Sequence, residues 1–357
     1  MKEETQTVRH DSAALVELAG SLLRSAGMPG DRADDVAAIL VEADLMGHDT
    51  HGLQLLPTYL AEIESGSMAV QGDYTVLSER AAVATWDGHR LPGPWLTLRA
   101  LDAAMARARD YGTGTVTIRR SHHIACLAAY LERATHAGYV MLLFSSAPAA
   151  ATVAPFGGTR AVFSPSPLAV GFPTPRGPVL IDVSTSITTN GLTGRLYREG
   201  KRLPHPWLID AQGHPSDDPA VLFAPQAGSI LPLGGLDAGH KGFALSLMVE
   251  ALTAGLSGHG RDDPGKRWGN TVFLQVLDPE AFAGGEAFAH QMGWVAGACA
   301  DNPPRPGVDA VRLPGQGALA RKARQLRDGV ALNPAIVPQL APWLEKYGVA
   351  MPAPVAG

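Results

Sequence analysis

Apolar residues recur at helical spacing through the first part of the chain. Between residues 13 and 26, leucines return every three or four positions, which predicts an amphipathic helix ended by Gly27. A second helix is predicted over 32–46 with Asp31 as its cap, and a third over 51–65. The chain therefore opens with helices alone.

The pattern changes after Gly72, where short apolar runs alternate with helical stretches. Strands are predicted over 82–86, 115–118, 140–144, 168–172, 179–181 and 271–277, and helices over 97–111, 124–137, 243–256 and 279–292. The tail returns to helix over 318–327 and 334–347. This order predicts a multihelical domain built from both chain ends, 1–75 with 300–357, around a mixed α/β domain over 76–299.

Composition narrows the class of protein. The 357 residues carry a net charge of −5 without a basic block, which argues against a nucleic-acid partner. The N-terminus is polar, and the longest uncharged run, over 137–159, is interrupted by glycine and proline, so we expect neither a signal peptide nor a membrane span. Only Cys126 and Cys299 are present, which fits a reducing cytoplasmic setting better than a disulfide framework.

The segment Gly47-His48-Asp49-Thr50-His51-Gly52 lies at the predicted start of the third helix. Thr50 is suited to cap that helix, which leaves His51 at the mouth of the helix. Imidazole is the side chain whose ordinary pKa lies nearest neutrality, so His51 is a candidate acid/base. A polar residue that simply starts a helix is the alternative.

No Gly-x-Gly-x-x-Gly follows a predicted strand, so a standard Rossmann dinucleotide site is not expected. The glycine-rich run 234–242 could instead approach an anion with its backbone, and Lys241 would add a charge at the start of the next helix. Hydroxyls after Asp182 could bind a ribose or a pyrophosphate. Each feature is also compatible with an ordinary loop or turn.

Histidines suggest a second class of chemistry. His48, His51, His122 and His123 could together hold a metal in a hydrolase or lyase. The spacing is poor for this, because His48 and His51 straddle a predicted helix boundary. We therefore expect no metal, and retain metal-dependent hydrolysis as an alternative.

Six short motifs in the same order resemble the type 2 malate/L-lactate dehydrogenase family, also called sulfolactate dehydrogenase-like. They are Asp49-Thr50-His51-Gly52, Ser121-His122-His123, Ala154-Pro155-Phe156-Gly157-Gly158 with Ser166-Pro167-Leu168-Ala169-Val170, Asp182-Val183-Ser184-Thr185-Ser186, Gly239-His240-Lys241-Gly242-Phe243 and Arg312-Leu313-Pro314-Gly315. The resemblance covers nearly the whole chain. It implies an enzyme that uses NAD or NADP in a non-Rossmann site, usually as a homodimer with sites near the subunit interface.

The resemblance also implies roles for particular positions. His51 would be the general acid/base, and Asp182 would steady it. The cofactor positions would be Ser121, His123, Val183, Ser184, Thr185, Ser186, Ile187, Thr188, His240, Lys241, Gly315, Gln316 and Gly317. The substrate positions would be Thr50, Leu55, Tyr59, Arg120 and Leu192. A homologue that binds a dinucleotide without catalysis is a further alternative.

Two departures from the family pattern concern the substrate. Leu55 stands where the family usually has an arginine suited to a carboxylate, and Leu192 stands in place of a lysine. We therefore expect a substrate less anionic than malate, such as a keto ester, a keto amide or a cyclic imine. Alternatively Arg120, which replaces a usual asparagine, grips a carboxylate from another direction. The family's closing acid is Gln316 here.

Overall fold

The computed structural model describes residues 8–263, 265 and 267–355. Its helices are α1 Ser12–Ser25, α2 Gly30–Met46, α3 Leu56–Glu64, α4 Gly93–Tyr111, α5 Leu131–His136, α6 Asn190–Arg198, α7 Gly235–Glu250, α8 Gly285–Ala300, α9 Gln316–Asp328 and α10 Ile336–Tyr347. Its strands are β1 Arg9–His10, β2 Thr75–Arg80, β3 Val83–Asp87, β4 Thr113–Ser121, β5 Val140–Ser146, β6 Leu168–Phe172, β7 Val179–Val183, β8 Leu208–Ile209, β9 Pro215–Ser216, β10 Ser229–Ile230, β11 Asn270–Leu277 and β12 Val330–Ala331.

A mixed sheet forms the centre of the molecule, with strand order β2-β3-β4-β11-β5-β6-β7. Only β3 and β4 pair in parallel, because α4 connects them, and the other neighbours in this sheet are antiparallel. The predicted combination of a mixed α/β centre with helices from both chain ends is confirmed.

The two chain ends meet in the structure. β1 pairs with β12, so that His10 lies opposite Val330. The amide of Gln325 on α9 donates to the carbonyl oxygens of Asp44 and Leu45 on α2, at 2.8 and 3.0 Å. These bonds place α9 against the end of α2, from which the candidate site extends. The exact division into domains stays a prediction.

Several predicted boundaries were wrong. α2 follows Pro29, with no side-chain cap from Asp31. The predicted helix over 124–137 shrinks to a 3-10 turn at Leu127–Tyr130 and the short α5, because Ala125 adopts a left-handed φ of 58° that no helix continues. Residues 279–281 form a separate turn before α8. β2, α6 and the small sheet of β8, β9 and β10 were not predicted.

The glycine-rich run 234–242 is also different from the prediction, because α7 begins at Gly235 rather than at residue 243. Its glycines allow close packing: a Cβ on Gly242 would lie 2.3 Å from the Leu233 nitrogen and 2.7 Å from the Thr185 oxygen. Ala238 has non-helical dihedral angles (φ −122°, ψ 15°) within α7, so one short turn precedes the main part of the helix. Lys241 is exposed and lies in the first turn after this kink, close to where the sequence predicted it. No helix in the described ranges is long and apolar enough to span a bilayer.

Candidate active site

The loop that carries His51 is fixed to the end of α2. Gly47 ends that helix with a φ of 86°, and the carboxylate of Asp44 accepts the Leu53 N–H at 2.7 Å. A Cβ on Gly52 would lie 2.3–2.5 Å from the Asp44 carboxyl atoms, so only glycine fits there. Burial raises the pKa of Asp44 to about 8. The carboxyl is therefore mostly neutral near pH 7.

His51 lies in a 3-10 turn over Asp49–His51, and α3 begins only at Leu56. Thr50 consequently does not cap α3. Its hydroxyl oxygen lies 2.9 Å from His51 Nδ1 and so orients the ring. Burial lowers the pKa of His51, while the charge of Asp182 acts in the opposite direction. His51 is thus a neutral, oriented imidazole whose proton affinity depends on a nearby carboxylate.

His123 stacks on the other side of His51, with ring centroids 6.0 Å apart. The Ala125 N–H donates to His123 Nδ1 at 3.2 Å, so the ring proton belongs on Nε2. The Tyr59 hydroxyl donates to the His123 carbonyl oxygen at 3.1 Å, and Trp268 stacks on the ring with centroids 4.7 Å apart. Burial holds the pKa of His123 well below its ordinary value. Tyr59 therefore supports His123 from behind.

Asp182, the next-to-last residue of β7, lines the same cavity as His51. Its Oδ2 accepts the Ala128 N–H at 2.8 Å and contacts the Cys126 thiol at 3.6 Å. Ligand atoms of His48, Cys126 and Asp182 lie within 4.8 Å of one another, the one such group in the described part of the chain. The four histidines of the metal alternative do not form a common ligand set among these residues. His122 instead pairs with Glu62 at 3.3 Å, and burial lowers its pKa to about 3.

A cavity of about 400 Å³ opens beside His51. Its walls are imidazoles, hydroxyls, small residues and apolar side chains, with Asp182 as the carboxylate: His48, Thr50, His51, Leu55, His123, Ile124, Ala125, Cys126, Leu127, Ser145, Ala147, Ala150, Ser164, Pro165, Ser166, Pro167, Asp182, Ser184, Thr189, Asn190, Gly191, Trp268 and Asn270. Arginine and lysine are absent from this described lining. The Arg261 guanidinium donates to the Ala150 carbonyl oxygen and to Ser164 Oγ, two atoms of lining residues, without itself lining the cavity. It forms an ion pair with Glu250, with Nη2 2.6 Å from Oε1.

Other substrate positions lie away from this cavity. Arg120 donates from Nε to Asp87 Oδ1 at 2.9 Å and lines, with Ser121 and Arg90, a neighbouring cavity that shares Asn270 with the His51 cavity. It is therefore not available to grip a carboxylate beside His51 in this arrangement, in contrast to the alternative raised from the sequence. Leu192 lies in the first turn of α6, where its N–H donates to Thr189 Oγ1 at 3.2 Å. Gly191, one residue earlier, is the α6 residue that lines the cavity together with Asn190.

A larger groove of about 920 Å³ adjoins the cavity and shares His48 and Asp182 with it. Val183, Gly315 and Gly317 lie along this groove. A Cβ on Gly315, whose φ is 85°, would lie 2.6 Å from the Leu180 Cβ, so glycine brings the start of α9 onto β7. The cavity and the groove together form one cleft along the end of β7.

The remaining predicted cofactor positions fall into three groups: one lines the His51 cavity, others are buried, and others are exposed on α7 or begin α9. Ser184 lines the His51 cavity, whereas Thr185 and Ser186 are buried and bond to the Pro165 and Thr188 carbonyl oxygens at 2.9 and 2.6 Å. Ile187 packs in an apolar cluster, and the buried hydroxyl of Thr188 lacks a partner among the described residues. His240 and Lys241 are exposed on α7, and Gln316 begins α9.

Three site residues were not identified from the sequence. Asp44 looked like one polar position in an ordinary helix, and Trp268 and Asn270 lie in and after a loop without periodicity. The glycine at position 52 is the one local sign of the close approach of Asp44. Their roles depend on tertiary contacts, across a loop for Asp44 and between more distant segments for Trp268 and Asn270, which periodicity does not reveal.

Comparison with known proteins shows the family to which the chain belongs. The family model described as malate/L-lactate dehydrogenase matches residues 11–341. L-Lactate dehydrogenase of Cupriavidus necator is 34% identical over 343 residues, which cover 94% of this chain and 97% of that protein. (2R)-3-Sulfolactate dehydrogenase (NADP(+)) of Chromohalobacter salexigens is 37% identical over 68% of this chain and 70% of its own.

The fold has a close counterpart among solved structures. The crystal structure of delta1-piperideine-2-carboxylate reductase from Pseudomonas syringae superposes with a TM-score of 0.81, at 29% identity, over 95% of this chain and 100% of that chain. These relatives show that the chain is an NAD(P)-dependent oxidoreductase. The chain belongs to the malate/L-lactate dehydrogenase family.

Proposed function

We propose that this enzyme reduces a small carbonyl or imine compound, or oxidises the corresponding product, with His51 as the proton donor and acceptor. The observation that carries this is the oriented, half-buried His51 ring at a cavity that continues into a groove. A bound nicotinamide supplies or receives the hydride. His51 then gives its proton to the substrate oxygen or nitrogen, which would otherwise gain an unstabilised charge.

The residues around the cleft fit such a cofactor. His123 offers an Nε2–H donor, and Ser184 a hydroxyl, next to the cavity that holds His51. Val183, Gly315 and Gly317 line the groove beyond Asp182, where small residues leave room for the rest of a dinucleotide. His240 and Lys241 keep their proposed contact with ribose or phosphate. That contact needs the cofactor to reach the exposed face of α7.

We further propose that the substrate is less anionic than malate. A carboxylate buried in the cavity would lack an arginine or lysine partner from its described walls, and desolvating an unpaired charge is costly. Leu55 supplies apolar surface where a cation would otherwise stand. A keto amide, a keto ester or a cyclic imine meets these walls without that cost.

An ordinary 2-oxo acid substrate is the second candidate. Relatives bear the names L-lactate dehydrogenase and sulfolactate dehydrogenase, and their named substrates are acids. The observation in its favour is Arg261, whose guanidinium contacts two residues of the cavity wall. A rotation that released it from Glu250 would provide the missing cation.

The test is oxidation of NADH and of NADPH against a panel of keto acids, neutral keto amides and cyclic imines. We expect turnover of neutral or imine compounds and little turnover of simple keto acids, with the His51→Ala variant inactive. Good activity on pyruvate or oxaloacetate would contradict the proposed substrate class and favour Arg261. Retained activity without His51 would contradict its role.

We also propose a cytoplasmic homodimer. Both cysteines are free thiols, as a reducing compartment favours. Large apolar side chains are exposed on and around α7 and α8, with Trp294 at 70% and Leu256 at 56% exposure. A second copy of the chain would cover this surface, as exposed apolar patches in monomers are rarely so extensive. Sedimentation of the wild type and of Trp294→Lys tests this, since only the wild type should remain dimeric.

A further inference from the structure

Helix α9 and the segment just before it carry positive charges that have no carboxylate partner among the described residues, although Arg321 donates to the Gly47 carbonyl oxygen at 3.4 Å. Arg312, just before the helix, and Arg321 and Arg324 within it are exposed, and none has a carboxylate within 4.0 Å among the described residues. Their neighbours differ: Lys322 pairs with Glu42 and Glu132, and Arg327 pairs with Asp328. The unpaired charges are therefore those on one particular face.

These three arginines line one pocket. It measures about 400 Å³ and is completed by Gln316, Gly317 and Ala320. The Arg321 guanidinium lies over Gly47, where a Cβ would approach its Nη1 to 1.6 Å. Gly47 thus allows the charge to lie flat at the end of α2, one residue before His48. We call the pocket lined by Arg312, Gln316, Gly317, Ala320, Arg321 and Arg324 the arginine pocket.

The arginine pocket continues the cleft. It shares Arg312 and Gly317 with the large groove, which in turn shares His48 and Asp182 with the His51 cavity. A ligand that begins at His51 and follows the groove therefore ends among the three arginines. The nicotinamide end of a dinucleotide belongs at His51 under the proposed function, so its adenosine end belongs here.

Gln316 supports a specific ligand at that end. Its side-chain carbonyl accepts the Leu313 N–H at 3.2 Å, which directs donor rather than acceptor capacity toward the pocket. In Rossmann sites a carboxylate on the ribose 2′-hydroxyl selects NAD, whereas an arginine accommodates the 2′-phosphate of NADP. The same pairing of charges applies to a 2′-phosphate in any fold. Here the described lining of the pocket has three guanidinium groups and no carboxylate.

We propose that the arginine pocket binds the 2′-phosphate of NADP(H), so that this enzyme prefers NADP(H) to NAD(H). The inference rests on the proposed function only for the placement of the nicotinamide. Guanidinium groups bind phosphate through paired charge-assisted hydrogen bonds, which the hydroxyl of NAD does not form. The selectivity therefore comes from α9 and not from the substrate cavity.

The experiment measures equilibrium binding of NADPH and of NADH, without substrate, to four proteins. They are the wild type, Arg324→Ala, Gln316→Glu and, as the matched control on the same helix, Arg327→Ala. We expect the wild type to bind NADPH about tenfold or more tightly than NADH. Arg324→Ala should remove most of that preference by weakening NADPH binding while the Kd for NADH stays unchanged. Gln316→Glu should also remove it, because the new carboxylate repels the 2′-phosphate and accepts a hydrogen bond from the 2′-hydroxyl of NADH. Arg327→Ala should preserve the preference. Adenosine 2′,5′-bisphosphate should displace NADPH better than ADP does.

Three results would overturn the inference. Equal affinity of the wild type for both cofactors would show that the pocket does not read the 2′-phosphate. Equal loss of NADH and NADPH affinity in Arg324→Ala would show that Arg324 contacts a group present in both cofactors, such as the pyrophosphate, and not the 2′-phosphate. Binding of neither cofactor would overturn the proposed function as well, whereas binding without preference would overturn this inference alone.

Discussion

The His51 cavity and the arginine pocket lie in one cleft and treat negative charge in opposite ways. The cavity offers neutral imidazoles, hydroxyls and Leu55, and its described lining contains no arginine or lysine. The arginine pocket offers three guanidinium groups that no carboxylate of the described residues pairs with. The difference suggests that this enzyme uses charge to recognise its cofactor, and shape and hydrogen bonding to recognise its substrate.

Removal of His51 should have the largest effect. His51→Ala takes away the proton donor, and we expect kcat to fall by about a hundredfold to ten-thousandfold. The Kd for NADPH should change little, because the arginine pocket is untouched. His136→Ala, which alters an exposed histidine on α5, is the control. Activity close to wild type in His51→Ala would place the proton donor elsewhere in the cleft.

Asp44 should make stability depend on pH. The pKa of this carboxyl is about 8 when folded and 3.8 ordinarily, so its folded state holds a proton that the unfolded state releases. Its stabilising contribution is therefore full below 3.8 and is lost as pH rises through about 8. Asp44→Asn carries no such charge, so it should gain stability relative to wild type toward alkaline pH, on the order of a few kcal/mol. Denaturant unfolding of both proteins across pH measures this, and parallel curves would contradict the assignment.

Leu55→Arg would place a cation in the His51 cavity, so that the cavity, like the arginine pocket, could pair with a negative charge. We expect kcat/KM for pyruvate to rise about tenfold relative to pyruvamide, because a charge-assisted hydrogen bond to the carboxylate becomes available. Leu55→Met is the control for shape. An unchanged ratio in Leu55→Arg would mean that another group already binds the carboxylate.

Asp182→Asn should produce the smallest and most specific change. Burial lowers the pKa of His51, and the Asp182 charge partly offsets this, so the variant should lower that pKa further. Reduction needs protonated His51 and slows as pH rises through its pKa. The fall in kcat/KM should therefore occur at lower pH in the variant. A fall at the same pH would show that Asp182 only holds Ala128 through its hydrogen bond.

Much of this arrangement follows from local sequence, and part of it does not. The strands over 140–144 and 168–172 were predicted within two residues, because short apolar runs between glycines and prolines have few other structures. The start of α7 was missed, because Gly239 and Gly242 resemble a loop until the close approach of Leu233 is known. His51 and Asp182 were identified by motif and lie around one cleft. The bond from Leu53 to Asp44 joins residues nine apart across an irregular loop, and the pairing of Arg120 with Asp87 joins two strands, so neither follows from a periodic pattern.

The most direct test of the contrast is the ratio of kcat/KM for pyruvamide to that for pyruvate, measured with saturating NADPH and with His51→Ala as a blank. The two compounds differ by one charge and little in size. A cavity without cations predicts a ratio well above one. A ratio well below one would show that the substrate end of the cleft binds a carboxylate, and would remove the contrast on which this account rests.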